Sequence, residues 1–355
     1  MITILLLILV LSVLLCNTIA TTTINRKQSD ASDSKDDNKD DNKDDSKDGN
    51  LPTIFILGVQ KGGSSSLYEF LIEHPLLCGG IHKEPHFFDH EPYSHKTRED
   101  YLKMYPTVDK CKSSKARYID GTTVMYKLEV ASDRMAQFYT EKEREKLKFI
   151  VLVREPVSRD YSWYGQVMRD KLGNGIKFSQ VQTFAEADAK RDTKERDAHI
   201  HRSGRYIEQL QHFIRNFRRD QILIISSQAV FQNSSSVMDS VSGFLGINKI
   251  DKWNGPFPHD NHLDKYEWRS IIDCIVSHIP KLDCKMRDEL AAYYKPWNTL
   301  LQQWMITTKV NASKWEPPFL PFKDSYKNIS CVSNAREEFE EILKKNPKQL
   351  SCKKN

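Results

Sequence analysis

The stretch IFILGVQKGGSSSL, residues 54–67, constrains the fold more than any other part of the chain. A short β-branched apolar run ends at Gly58. The chain then passes through Lys61, Gly62 and Gly63 into Ser64, Ser65 and Ser66. Residues 53–59 read as a buried strand, and residues 65–73 as a helix with Leu67, Phe70 and Leu71 at helical spacing. A glycine-rich turn between such a strand and helix presents backbone N–H groups to an anion, and the helix N-terminus adds a positive dipole end. Glycine lets the backbone close on the ligand without a Cβ clash. Lys61 adds a full charge and the serines add hydroxyl donors. The loop therefore reads as a phosphate cradle, against the plain alternative of a Gly/Ser turn. The triphosphatase pattern G-x-x-x-x-G-K-[ST] is excluded, because there the lysine closes the loop and here Lys61 precedes the glycines.

The rest of the chain alternates in the same way. Residues 149–153 and 221–225 read as strands, and 157–168, 206–217 and 237–245 as helices. A further helix over 286–294 is expected to stop before Pro296, and a charged helix lies near 336–345. Strands alternating with helices predict an α/β fold, a single domain with a central parallel sheet flanked by helices. Its expected limits are 51–316, followed by a C-terminal extension over 317–355. No internal repeat is evident.

The second strand runs into VREPVSRDYSWY, residues 153–164. This puts Arg154 at the carboxyl end of a strand, the edge where open parallel sheets bind ligands. Pro156 suits the first turn of a helix, and Ser162 lies further along it. An arginine and a serine so placed can clamp a second phosphate.

Together, GVQKGGSSSLYEFL and VREPVSRDYSWY resemble the two nucleotide motifs of the PAPS-dependent sulfotransferases. The similarity runs over roughly 52–304, including the Tyr206-x-x-x-Leu210 helix and Tyr294-Lys295-Pro296-x-Asn298. Within that family the chain is most similar to the heparan sulfate sulfotransferases and to N-acetylgalactosamine 4-sulfate 6-O-sulfotransferase. The resemblance implies the P-loop-like sulfotransferase fold. It also implies that Lys61, Gly62, Gly63, Ser64, Ser65 and Ser66 hold the 5′-phosphosulfate of PAPS, and Arg154 and Ser162 its 3′-phosphate.

KEPHFFD, residues 83–89, is the third informative piece. Sulfuryl transfer to an alcohol needs a base for the hydroxyl proton and positive charge on the departing phosphate oxygen. The resemblance maps the catalytic glutamate onto Glu84, a histidine supporting the acceptor site onto His86, and the lysine at the leaving oxygen onto Lys61. It implies no metal, and no C-x-x-C pair or other ligand set for one is evident. Two departures bear on the acceptor. Gly121, in Asp120-Gly121-Thr122-Thr123, stands where many members carry lysine. No Lys-Gly-Arg tripeptide is present, and residues 252–262 are the expected replacement.

Charge is unevenly placed. Nine Asp and four Lys fall between positions 30 and 48, a local −5, so with +5 overall the remainder carries about +10. A basic body suits a polyanionic partner. Residues 21–50 offer almost nothing apolar to bury, Ile24 and Ala31 alone, and read as a disordered stem. The apolar segment before it is short for a span and ends at small residues, so 1–20 is a signal peptide or a signal-anchor. Six cysteines beyond Cys16 and sequons at Asn233, Asn311 and Asn328 fit a lumenal protein. Nearness in sequence favours Cys274–Cys284 and Cys331–Cys352 among the possible disulfides. The expected location is the secretory pathway: the Golgi lumen as a type II membrane protein, or secretion.

The leading expectation is a PAPS-dependent carbohydrate O-sulfotransferase acting on an acidic, glycosaminoglycan-like polysaccharide, with no nucleic-acid partner. Lys83, Arg159, Arg169 and Lys171 are candidates to line its acceptor groove. The alternatives are a sulfotransferase for a small alcohol, a phenol or tyrosine, and a catalytically inactive glycan-binding homologue.

Overall fold

The structure is a computed structural model that describes residues 49–173, 180–189, 201–232, 234–248, 279–308 and 329–345. The expected N-terminal segment and nearly all of the stem, the three sequons, residues 252–262, Cys274 and Cys352 lie outside the described residues. Among the described residues no helix is long and apolar enough to cross a membrane.

Five parallel strands form one sheet: β1 (Pro52–Gly58), β2 (Leu77–Gly79), β3 (Arg117–Asp120), β4 (Lys148–Val153) and β5 (Ile222–Ser226). Their order is β2-β3-β1-β4-β5. The longer helices are α1 (Ser64–Ile72), α2 (Glu129–Phe138), α3 (Pro156–Gly173), α4 (Tyr206–Asn216), α5 (Ser234–Leu245), α6 (Cys284–Thr308) and α7 (Ala335–Lys345). β1 is the central strand, which explains its unbroken apolar run: helices cover both faces, so neither alternate position meets water. Ile54 and Ile56 point to the face covered by α1 and α5, where they cluster with Leu67, Leu71, Ile150, Leu152, Val237 and Val241. On the other face Phe55 stacks on Phe149 at 5.6 Å, and Phe149 meets Phe213 of α4 at 5.6 Å. The register pairs Phe55 with Phe149 and Ile56 with Ile150, so like side chains fall on like faces.

Strands leave β1 first toward β3 and β2, then toward β4 and β5. The order therefore reverses at the β1/β4 junction, and an open sheet has its crevice at the carboxyl ends there.

Three expectations are corrected. Among the described residues Cys284 pairs with Cys331 and Cys78 with Cys111, so nearness in sequence was a poor guide. The Cys284–Cys331 bridge and Phe339, buried with Val157, Leu282 and Leu290, tie residues 329–345 to the domain. The helix at 286–294 does not stop at Pro296; α6 continues to Thr308. Tyr294, buried before the proline, and Leu301 and Trp304, buried after it, hold the helix together across the lost N–H. Arg159 is not a groove residue: it is 1% exposed, donates to the Gln60 carbonyl and pairs with Asp160.

Candidate active site

The loop after β1 is shaped by contacts that only its glycines permit. Val59 N donates to Leu152 O at 2.8 Å, and Gly62 N to Val59 O at 2.9 Å, folding the loop back over the end of β4. A Cβ on Gly62 would lie 2.8 Å from Val59 O and 2.9 Å from Leu152 O, both backbone atoms that cannot give way. Gly63 caps α1 at φ 93°, in the left-handed region where glycine is the least strained residue. Lys61 is itself left-handed at φ 69°, a conformation that costs energy in a residue with a Cβ. Two side chains from elsewhere hold it there: Arg154 Nη1 donates to Lys61 O at 3.1 Å, and Ser227 Oγ donates to Gly62 O. Three strand ends thus build one cradle, and the first-turn amides of α1 open into it, having no carbonyl of their own helix to bond.

Lys61 Nζ donates to Gln166 Oε1 of α3 at 2.9 Å. Burial, with Arg169 and Arg154 close by, lowers the ammonium from its ordinary 10.5 to about 8. Burial likewise lowers Arg154, Arg169 and Lys127. This crowding of cations is the electrostatic signature of a site for a multiply charged anion. Tyr206 OH donates to Arg154 O at 2.8 Å and fixes the turn into α3.

A cluster of Lys83, Glu84, His86 and Asp89 stands beside the cradle. After β2, residues 80–86 lie against the turn after β3: Gly121 N donates to Lys83 O at 3.0 Å, and His86 N to Thr122 Oγ1 at 3.3 Å. Lys83 Nζ lies 2.7 Å from Glu84 Oε1 and 3.4 Å from Ser64 Oγ. Thr123 Oγ1 is 3.5 Å from the same Glu84 oxygen. His86 Nε2 is 3.7 Å from Glu84 Oε2, while its Nδ1 lies 2.7 Å from Asp89 Oδ2. Asp89 is 1% exposed, so its carboxylate orients the imidazole from the protein side and leaves Nε2 facing Glu84. His86, Asp89 and His90 also bring three possible ligand atoms within 4.8 Å of one another.

The residues singled out in the sequence are thus largely brought together. Lys61, Gly62, Gly63, Ser64 and Arg154 share the cradle. Glu84 joins it through Lys83, and His86 adjoins Glu84. Ser65 is exposed and Ser66 half-buried in the first turn of α1. Among the described residues no hydrogen bond joins Ser162 to Arg154. Ser162 does precede Gln166, the partner of Lys61, by one helical turn, and so shares its face of α3. Sequence reasoning passed over Gln166, Asp89 and the reach of Lys83. The i, i+4 spacing to Ser162 and the i, i+3 spacing to His86 were available signals for the first two.

The family model described as "Sulfotransferase domain" matches residues 51–266. Human heparan sulfate glucosamine 3-O-sulfotransferase 3B1 is 28% identical over 270 residues, 71% of this chain and 63% of the relative. The mouse bifunctional heparan sulfate N-deacetylase/N-sulfotransferase 4 is 25% identical over 269 residues, 72% of this chain and 30% of the relative. The chain therefore spans less than two thirds of either relative's length. Among solved structures, a sulfotransferase from Alicyclobacillus acidocaldarius shares the fold with a TM-score of 0.52 and 21% identity. The match covers 72% of this chain and 96% of that one.

Proposed function

The chain belongs to the sulfotransferase-domain family, and we propose that it transfers the sulfuryl group of PAPS to a hydroxyl of an acidic, glycosaminoglycan-like glycan. One observation carries the reading: a half-buried lysine in a glycine-built anion cradle stands at the sheet's switch point, with a carboxylate reached through Lys83 and Ser64. The cradle suits a phosphosulfate. Gly62 has no room for a Cβ, so the loop packs backbone to backbone on β4, and Arg154 and Arg169 stand close enough to depress the Lys61 ammonium. Arg154, with Ser162 on the neighbouring helix face, takes the second phosphate of the donor.

The transfer is in line. The acceptor oxygen forms a bond to sulfur as the bond from sulfur to the bridging phosphate oxygen breaks. That electron pair stays on the phosphate, opposite Lys61 and the first-turn amides of α1. Glu84 takes the acceptor's proton, and His86, oriented by Asp89, positions the acceptor at its edge. Charge moves from the base to the leaving group, and preorganised cations at the second position stabilise the transition state more than the ground state.

The relatives' names specify heparan sulfate, and the basic body supports an acceptor of that charge. Two disulfides in the described residues favour an oxidising compartment, the secretory pathway, with an N-terminal anchor or a cleaved signal ahead of the domain. The test supplies the purified chain with radiolabelled PAPS and separate desulfated and partly sulfated heparan, chondroitin and dermatan chains, together with small alcohols and phenols. Label is expected in one polysaccharide and absent with Glu84→Gln. Label only in the small molecules would overturn the acceptor class.

A further inference from the structure

Lys83 has no part in the mechanism so far, yet it occupies the gap between the two halves of the site. Its ammonium lies 2.7 Å from the carboxylate of the base and 3.4 Å from Ser64, the first residue of the helix whose N-terminus closes the cradle. Its side chain is only 19% exposed. Lys61, by contrast, reaches α3 through Gln166. α3 follows β4 on one side of β1, whereas Lys83 follows β2 and rests on the turn after β3, on the other side. The two ammonium groups therefore flank the cradle.

The position of Lys83 is built rather than incidental. Its carbonyl accepts from Gly121 N at 3.0 Å, which pins the main chain. A Cβ on residue 121 would sit 3.0 Å from Lys83 Cγ, 3.0 Å from Lys83 O and 3.0 Å from Tyr68 Cδ2. The bare backbone at Gly121 thus provides the space that the Lys83 stem crosses to reach Ser64.

We propose that Lys83 is a second catalytic cation, one that contacts the sulfuryl group being transferred, on the acceptor side, while Lys61 serves the phosphate side. The proposal rests on the sulfuryl-transfer reading above. Before reaction the ammonium shares its charge with ionised Glu84. When Glu84 takes the acceptor's proton, that carboxylate becomes neutral and the ammonium's full attraction falls on the sulfuryl oxygens. The sulfuryl group keeps its negative charge in donor and product, so Lys83 exchanges a shared hold on two anions for an undivided one on the group in transit and keeps it in line between acceptor and leaving oxygen, a positioning contribution to the rate.

The test compares PAPS, which carries the sulfuryl group, with 3′-phosphoadenosine 5′-phosphate, which lacks it. Calorimetry with the whole chain is expected to show Lys83→Met weakening PAPS about tenfold and the desulfated nucleotide less than about twofold, since a charge-assisted contact is lost only with the former. In the labelling assay kcat is expected to fall roughly 100-fold, the scale for one preorganised donor, with partial recovery in Lys83→Arg. Gly121→Ala keeps the ammonium but crowds its stem; it is expected to lower kcat with the desulfated nucleotide bound as before. Equal loss of both nucleotides in Lys83→Met, or no loss of either, would overturn the proposal while leaving sulfuryl transfer in place. A native chain that binds neither nucleotide would overturn both.

Discussion

Arg154, the first residue after β4, donates to the main-chain carbonyl of Lys61, 93 positions earlier, at 3.1 Å. This hydrogen bond joins the two motifs that were separate in sequence and holds Lys61 in its left-handed conformation. It also places a guanidinium and an ammonium of the same sign around one loop, an arrangement that an anion stabilises.

Replacing Arg154 with alanine removes the clamp on the loop and the cation proposed to take the donor's second phosphate. Affinity for 3′-phosphoadenosine 5′-phosphate is expected to fall by ~1.5–3 kcal/mol, the size of a hydrogen bond to a charged group. Calorimetry measures this directly. Unchanged affinity would remove Arg154 from the nucleotide site.

Glu84→Gln keeps the shape of the side chain and takes away the proton acceptor. Transfer is expected to stop while affinity for the desulfated nucleotide stays within about twofold, because in the proposed function Glu84 serves the acceptor and reaches the cradle only through Lys83. Radiolabel transfer and calorimetry on the same preparation separate the two effects. Full activity in this variant would show that the base lies elsewhere.

Lys61 makes nucleotide binding depend on pH. Burial and the neighbouring arginines hold its ammonium at about 8, and a bound phosphosulfate or phosphate raises it. Above pH 8 binding therefore takes up a proton, and affinity declines as pH rises. Stability of the empty domain runs the other way. The unfolded chain keeps its proton up to the ordinary 10.5, so between about 8 and 10.5 it binds more protons than the folded chain, and this group's contribution to stability increases with pH. Calorimetry in buffers of different ionisation enthalpy detects the proton uptake, and Lys61→Met is expected to abolish it.

Arg159 and Asp160 form a pair that is 1% and 0% exposed, with Tyr294 OH also donating to Asp160. Asp160→Asn removes the carboxylate but not the buried guanidinium, at an expected cost of ~3–5 kcal/mol. The exposed pair of Arg218 and Asp220 is the contrast: Asp220→Asn is expected to cost under ~1 kcal/mol. Urea unfolding midpoints of the two variants check the difference. Similar midpoints would mean that the Arg159 pair is not structural.

Much of the fold was legible along the chain because β1, β4 and β5 are apolar runs followed by helical spacing. The strands β2 and β3 were not, since Leu77–Gly79 and Arg117–Asp120 are too short to carry a period. Their pairing is dictated by the strands already beside them. Pro296 misled for a related reason: the residue is a helix breaker locally, and only the burial of Tyr294, Leu301 and Trp304 reveals that packing outweighs it.

What the sequence alone determined is therefore the local chemistry: a strand, a glycine-rich turn, a helix N-terminus and a carboxylate in KEPHFFD. The tertiary structure alone decided which charged groups meet. Lys83 faces Ser64 and Lys61 faces Gln166 because strand order and register bring distant loops to one edge of the sheet, and Cys284 finds Cys331 because residues 329–345 pack against the start of α6. Contacts across loops depend on those long-range pairings, and no local pattern of residues encodes them.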